Sequence, residues 1–221
     1  SRRGDAAVNR VRIKFCGITR VQDATIACAL GVDAIGLVLT HKSPRCVAAL
    51  QAREIRRALP PFVAAVALFM DDEPGFIADA VATVQPDLLQ FHGRETLDEC
   101  LRYEVPYLKA IAMDGGDAVR EVHEHTAAVG FVFDAHAPGA PGGAGRAFDW
   151  SLIPRDVPTG ERPFPLILAG GLTCDNVGSA IRAVHPYAVD VSSGIESAHG
   201  IKDAEKMRRF VEEVERAGSA G

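Results

Sequence analysis

The chain has no apolar run approaching the roughly 20 residues that would span a bilayer, so a membrane-embedded helix is excluded at the outset. It has no excess of positive charge: 24 Lys and Arg face 29 Asp and Glu, a formal net charge of −5. That balance argues against a general nucleic-acid binder, and any phosphate the protein holds is a small one, gripped locally. Cysteines are not paired for structure. The five of them, Cys16, Cys28, Cys46, Cys100 and Cys174, are odd in number, widely spaced and free of a CxxC pair, against a disulfide framework or a structural zinc. His123 and His125 stand two apart, point to different faces of a helix and are expected on the solvated surface. Residues 1–10, SRRGDAAVNR, lack the apolar core of a secretory signal and are expected to be a flexible lead-in, which makes a cytoplasmic address the default. No stretch reads as a linker, so 1–221 is expected to be one domain.

What is present is a repeat of short apolar runs and helical segments. Strand patterns fall at 13–16, 33–39, 63–69, 87–91, 108–113, 130–134, 165–169 and 188–191. Helical patterns fall at 21–30, 48–59, 76–83, 118–126, 176–184 and 203–217. Thr19 and Gln22 are placed to cap the first of these, and one further helical turn is expected at 195–197. A βα unit repeated about eight times in 221 residues predicts a single (β/α)8 barrel, an α/β fold whose ligands bind at the carboxyl ends of the strands.

Residues that end strands are therefore the ones to collect. Cys16 ends the first strand, as a reactive thiol or as a small buried residue. Arg45, in HKSPR, follows the second strand and either grips a substrate carboxylate or lies on the surface. His92 and Asp114 follow the fourth and fifth. Asp134 ends the sixth, where partial burial would suit a carboxyl to general-acid work. Asp190 sits within the apolar eighth strand and needs either a salt-bridge partner or a substrate. Gly170 and Gly171 follow the seventh strand, and Ser193 and Gly194 the eighth, the two positions where such barrels cradle phosphate with backbone N–H groups. The Gly- and Pro-rich run 135–146 is either a flexible connection or a lid over such a site.

Taken in order, KFCGITR (14–20), DAIGLVL with KSPR (33–45), LLQFHG (88–93), FDA (133–135), GGAGRAFDW (142–150), LAGGLTCDNV (168–177) and VDVSSGIE with GIKD (189–203) resemble one family, phosphoribosylanthranilate isomerase. The resemblance runs from the first strand to the last helix. It implies an Amadori rearrangement of N-(5-phosphoribosyl)anthranilate in tryptophan biosynthesis, without metal or cofactor, by a cytoplasmic monomer or homodimer whose partner is a phosphorylated small molecule, neither nucleic acid nor membrane. It implies Cys16 as general base, Asp134 as general acid, Arg45 on the anthranilate carboxylate, Asp190 near the reacting end, and Gly171, Ser193 and Gly194 around the phosphate. A histidine-pathway isomerase that runs the same rearrangement uses an aspartate where this chain has Cys16, which favours the tryptophan pathway. The chain departs from the family pattern with Ala144 in GGAG, Phe91 in LLQFHG and Cys174 after LAGGLT.

Overall fold

A computed structural model describes residues 10–113, 118–134, 150, 153 and 164–218. Residues 1–9 of the expected lead-in 1–10, the run 135–146 with Ala144, and Asp114 lie outside the described residues. Arg10, at the end of the expected lead-in, is anchored: its guanidinium donates to the Asp33 carboxylate, 3.1 Å from Nη1 to Oδ2.

Eight parallel strands close into a barrel in sequence order. They are β1 (Arg12–Phe15), β2 (Ala34–Val38), β3 (Ala64–Phe69), β4 (Leu88–Phe91), β5 (Tyr107–Ala112), β6 (Gly130–Asp134), β7 (Leu166–Leu168) and β8 (Ala188–Val191). Closure comes from β1 pairing with β8, in a register that sets Lys14 opposite Asp190. Around the barrel run α1 (Val21–Ala29), α2 (Ala49–Arg57), α3 (Pro74–Val84), α4 (Leu97–Leu101), α5 (Ala118–Glu124), α6 (Val177–Val184) and α7 (Ala204–Gly218).

Side chains alternate along each strand and sort themselves into two cores. Outward residues such as Ile13, Phe15, Ile35, Leu37 and Phe133 pack beneath the helices. Helix α7 buries Met207, Phe210, Val211, Val214 and Ala217, a helical stripe, and its Phe210 ring meets Phe15 edge-on at 6.0 Å. Inward residues Val66, Leu108, Ala110, Val132, Ile167, Ala169 and Ala188 fill the barrel as branched and small side chains do in this architecture. Lys14 and Asp190 interrupt that apolar filling. Both are buried, and they pair with each other, Nζ to Oδ2 at 2.7 Å.

Three expectations need correction. The box between Thr19 and Gln22 does not form: Arg20 is the N-cap residue of α1, with no side-chain cap, and the Thr19 hydroxyl donates instead to the Gly200 carbonyl. The turn after β8 is a 3-10 turn at Ser193–Ile195, two residues earlier than expected, and it leads into a small antiparallel hairpin of β9 (Glu196–Ala198) and β10 (Ile201–Lys202). His125 is not on the surface. It is buried against Tyr107, whose hydroxyl lies 3.4 Å from Nδ1, and burial pushes its pKa down to about 4; His123 alone is exposed.

Candidate active site

The carboxyl ends of the strands open into one cleft of about 910 Å³, lined by Cys16, Arg45, Gln90, His92, Asp134, Gly170, Gly171, Asp190, Ser192 and Ser193. Val38, Leu68, Met70, Ala169 and Leu172 supply its apolar walls. Six of the seven residues to which the family resemblance gives a role therefore meet there. Gly194 is the exception: it does not line the cleft but presses on its far side, where a Cβ would lie 2.0 Å from the Leu172 carbonyl oxygen. That contact ties the turn after β8 to the loop after β7. Asn176 fixes the same loop, accepting from the Thr173 N–H at 2.8 Å and donating to the Gly171 carbonyl at 2.9 Å.

Cys16 follows β1 directly and continues its ladder, its N–H donating to the Val191 carbonyl at 2.8 Å. The thiol occupies space that Gly36 on β2 leaves open, since a Cβ there would stand 2.7 Å from Sγ. Burial raises the thiol's pKa; the Lys14 charge below it acts in the opposite direction, Asp190 adds to the rise and Lys202 opposes it. Burial also works against the Lys14 ammonium, but Asp190 beside it holds the proton more tightly than in an ordinary lysine.

Asp134 ends β6 at the opposite side of the cleft, with His92 Nε2 3.5 Å from its Oδ2. Burial pushes the pKa of His92 below its ordinary value, with Lys109 and Lys14 contributing and the two carboxylates opposing, so the ring is neutral near pH 7. Gln90, two residues back on the same face of β4, lies 3.3 Å from His92 Nδ1.

Arg45 is neither on the surface nor loosely placed. Its Nε and Nη2 donate to Glu196 at 2.7 and 2.8 Å, and Lys202 donates to the same carboxylate at 2.9 Å. Burial disfavours the Glu196 charge, yet the two cations beside it keep its pKa below the ordinary value. Among the described residues, this cluster behind the cleft sets one carboxylate between two cations.

Sequence reasoning assigned no role to Lys14, Gln90, Glu196 or Lys202. Glu196 and Lys202 both lie in the quoted motif VDVSSGIE with GIKD, but their meeting depends on the β9–β10 hairpin. Lys14 carried one usable signal, a charge alternating with buried apolar residues in a strand next to a strand that holds Asp190. Among the described residues no group of three or more His, Cys, Asp or Glu is placed to hold a metal ion.

A family model for N-(5'-phosphoribosyl)anthranilate isomerase matches residues 13–213. The N-(5'-phosphoribosyl)anthranilate isomerase of Pseudomonas aeruginosa is 53% identical over 205 residues, which cover 92% of this chain and 95% of that protein. The crystal structure of phosphoribosyl anthranilate isomerase from Thermotoga maritima superposes with a TM-score of 0.82 at 36% identity, over 92% of this chain and 98% of that one. A crystal structure of phosphoribosyl anthranilate isomerase in complex with reduced 1-(o-carboxyphenylamino)-1-deoxyribulose 5-phosphate superposes with a TM-score of 0.79 at 35% identity, with the same coverage.

Proposed function

The chain belongs to the N-(5'-phosphoribosyl)anthranilate isomerase family, and from that premise we propose that Cys16 and Asp134 are the base and acid of its reaction. The protein is an isomerase of tryptophan biosynthesis that converts N-(5-phosphoribosyl)anthranilate to 1-(2-carboxyphenylamino)-1-deoxyribulose 5-phosphate. In the reading proposed for the site, Asp134 gives its proton to the ribose ring oxygen, the ring opens, and the nitrogen lone pair forms a Schiff base at C1. The cationic nitrogen acidifies the neighbouring C–H. The Cys16 thiolate takes that proton from C2, the electrons move to nitrogen, and the resulting enol tautomerises to the ketone with no net oxidation.

The observation that carries this reading is that Cys16 and Asp134, from β1 and β6, line the same cleft as the glycine loop after β7 and the serine turn after β8. The loops at Gly171 and Ser193, braced by Gly194, would hold the phosphate, remote from the reacting bonds, so that its binding energy fixes the sugar between acid and base. Arg45 would face the anthranilate carboxylate, held in place by Glu196, which Lys202 also grips. Asp190 would accept from a substrate hydroxyl: its Oδ1 is buried and has no partner among the described residues. A cytoplasmic location and a monomeric or homodimeric state go with this reading, and sedimentation distinguishes the two states.

The test follows the loss of phosphoribosylanthranilate fluorescence on adding the protein. Asp134→Asn and Cys16→Ser are each expected to lower kcat by about 10²-fold or more, the usual weight of a positioned acid or base. Full turnover in either variant would remove that residue from the mechanism.

A further inference from the structure

We propose that Lys14 is a positioning residue for this reaction, its ammonium clamped by Asp190 beneath the Cys16 sulfur as the fixed countercharge of the thiolate. The proposal rests on the reading of Cys16 as the base.

A thiol buried in an apolar layer is a poor base unless a cation is built in beside it, because burial favours the neutral form. Cys16 packs with Val38 and Leu68, two side chains that offer it no charge. Lys14 lies two residues earlier on β1 and therefore on the same, inward face, one layer below the sulfur. Its ammonium donates to Asp190 Oδ2 and also lies within side-chain hydrogen-bonding reach of Cys16, so two of its three N–H groups serve the clamp and the thiol. The strand register sets Lys14 directly opposite Asp190, so the ammonium cannot swing out to solvent.

The other charges around the sulfur are engaged elsewhere or more distant in effect. Lys202 on β10 and Arg45 after β2 share Glu196, while His92 after β4 faces Asp134 at the end of β6. Asp190 on β8 opposes thiolate formation, though less than Lys14 favours it. A lysine in the interior of a barrel is costly to bury, and a purely structural pair could be replaced by apolar residues of similar volume without loss. The position beneath the base gives the charge a use that an apolar pair would not have.

The test measures alkylation of Cys16 by iodoacetamide against pH, peptide by peptide in the intact protein, alongside the pH profile of kcat/KM. In Lys14→Met the midpoint for Cys16 is expected to rise by at least one pH unit, and the acid limb of kcat/KM to move with it. Lys14→Arg is expected to hold the midpoint within half a unit. Cys28 and Cys46, outside the cleft, are expected to keep their wild-type profiles, as a general loosening of the fold would not allow. If Lys14→Met does not fold, the neutral pair Lys14→Met/Asp190→Asn is expected to show a smaller upward movement, because the Asp190 charge that opposes the thiolate is removed with the ammonium that favours it. An unchanged Cys16 midpoint in the single variant or the neutral pair overturns the proposal. Turnover retained by Cys16→Ser would overturn the base reading instead, and the alkylation midpoint reports on Lys14 in either case.

Discussion

The placement of Cys16 and Asp134 at the cleft was legible because a thiol or carboxyl at the end of an apolar run stands out from its neighbours. His125 was not, because the spacing in HEH says that two histidines face different ways without saying which one faces in. The structure puts His125 just after α5 and buries it against Tyr107, and that burial has a consequence for stability. A histidine whose folded pKa is about 4, below its ordinary value near 6.5, is neutral in the fold over a range where the unfolded chain would take up a proton. Stability is then fully present above pH 6.5 and falls as pH drops toward 4, by up to about 3 kcal/mol from this group. Urea unfolding at intervals between pH 7 and 4 is expected to show that fall in wild type and a flatter dependence in His125→Gln, which cannot charge but can still meet the Tyr107 hydroxyl. Equal slopes in the two proteins would mean that other groups set the acid sensitivity.

At the scale of elements, long apolar runs announced themselves and short pieces did not. Strands β6 and β8 have the expected bounds, and the other strands and the longer helices differ by at most two residues at their ends. Helix α4 has only five residues, and the β9–β10 hairpin has strands of three and two, too short for any periodicity to register. Thr19 misled for a related reason: its hydroxyl serves Gly200, in a hairpin that only the folded chain brings near. That hairpin delivers Glu196 to Arg45 and Lys202, and all three are buried. Removing the shared carboxylate charge leaves two buried cations facing each other, so Glu196→Gln is expected to destabilise the protein by about 3–5 kcal/mol. With Arg45 less tightly held, KM for the carboxylate-bearing substrate is expected to rise more than kcat falls. Denaturant titration and steady-state kinetics check the two effects separately, and an unchanged KM would detach Arg45 from substrate binding.

For the whole molecule, the count of eight strands and the order of their ends were enough to predict the barrel and to place the cleft, because a closed parallel barrel leaves the ends of its strands no freedom to scatter. The charged pair in the barrel interior was harder to see, since it depends on the register that closes β1 on β8. The two loops proposed to hold the phosphate are linked through the barrel as well: one follows β7, the other β8, and Gly194 lets them touch. A methyl group at 194 cannot fit 2.0 Å from the Leu172 carbonyl, and the nearby atoms are all backbone, so the loops must part. A ligand spanning both loops stabilises the fold by mass action, about 2.7 kcal/mol at 100 times its Kd. In a chain of this size that corresponds to a rise of about 5–10 °C in Tm. The reduced product analogue is expected to raise the wild-type Tm by that amount and the Gly194→Ala Tm by much less at the same concentration, even after the variant's own loss of stability is subtracted. Thermal scans with and without the analogue decide it, and an undiminished rise in the variant would show that the cradle does not depend on the contact between the two loops.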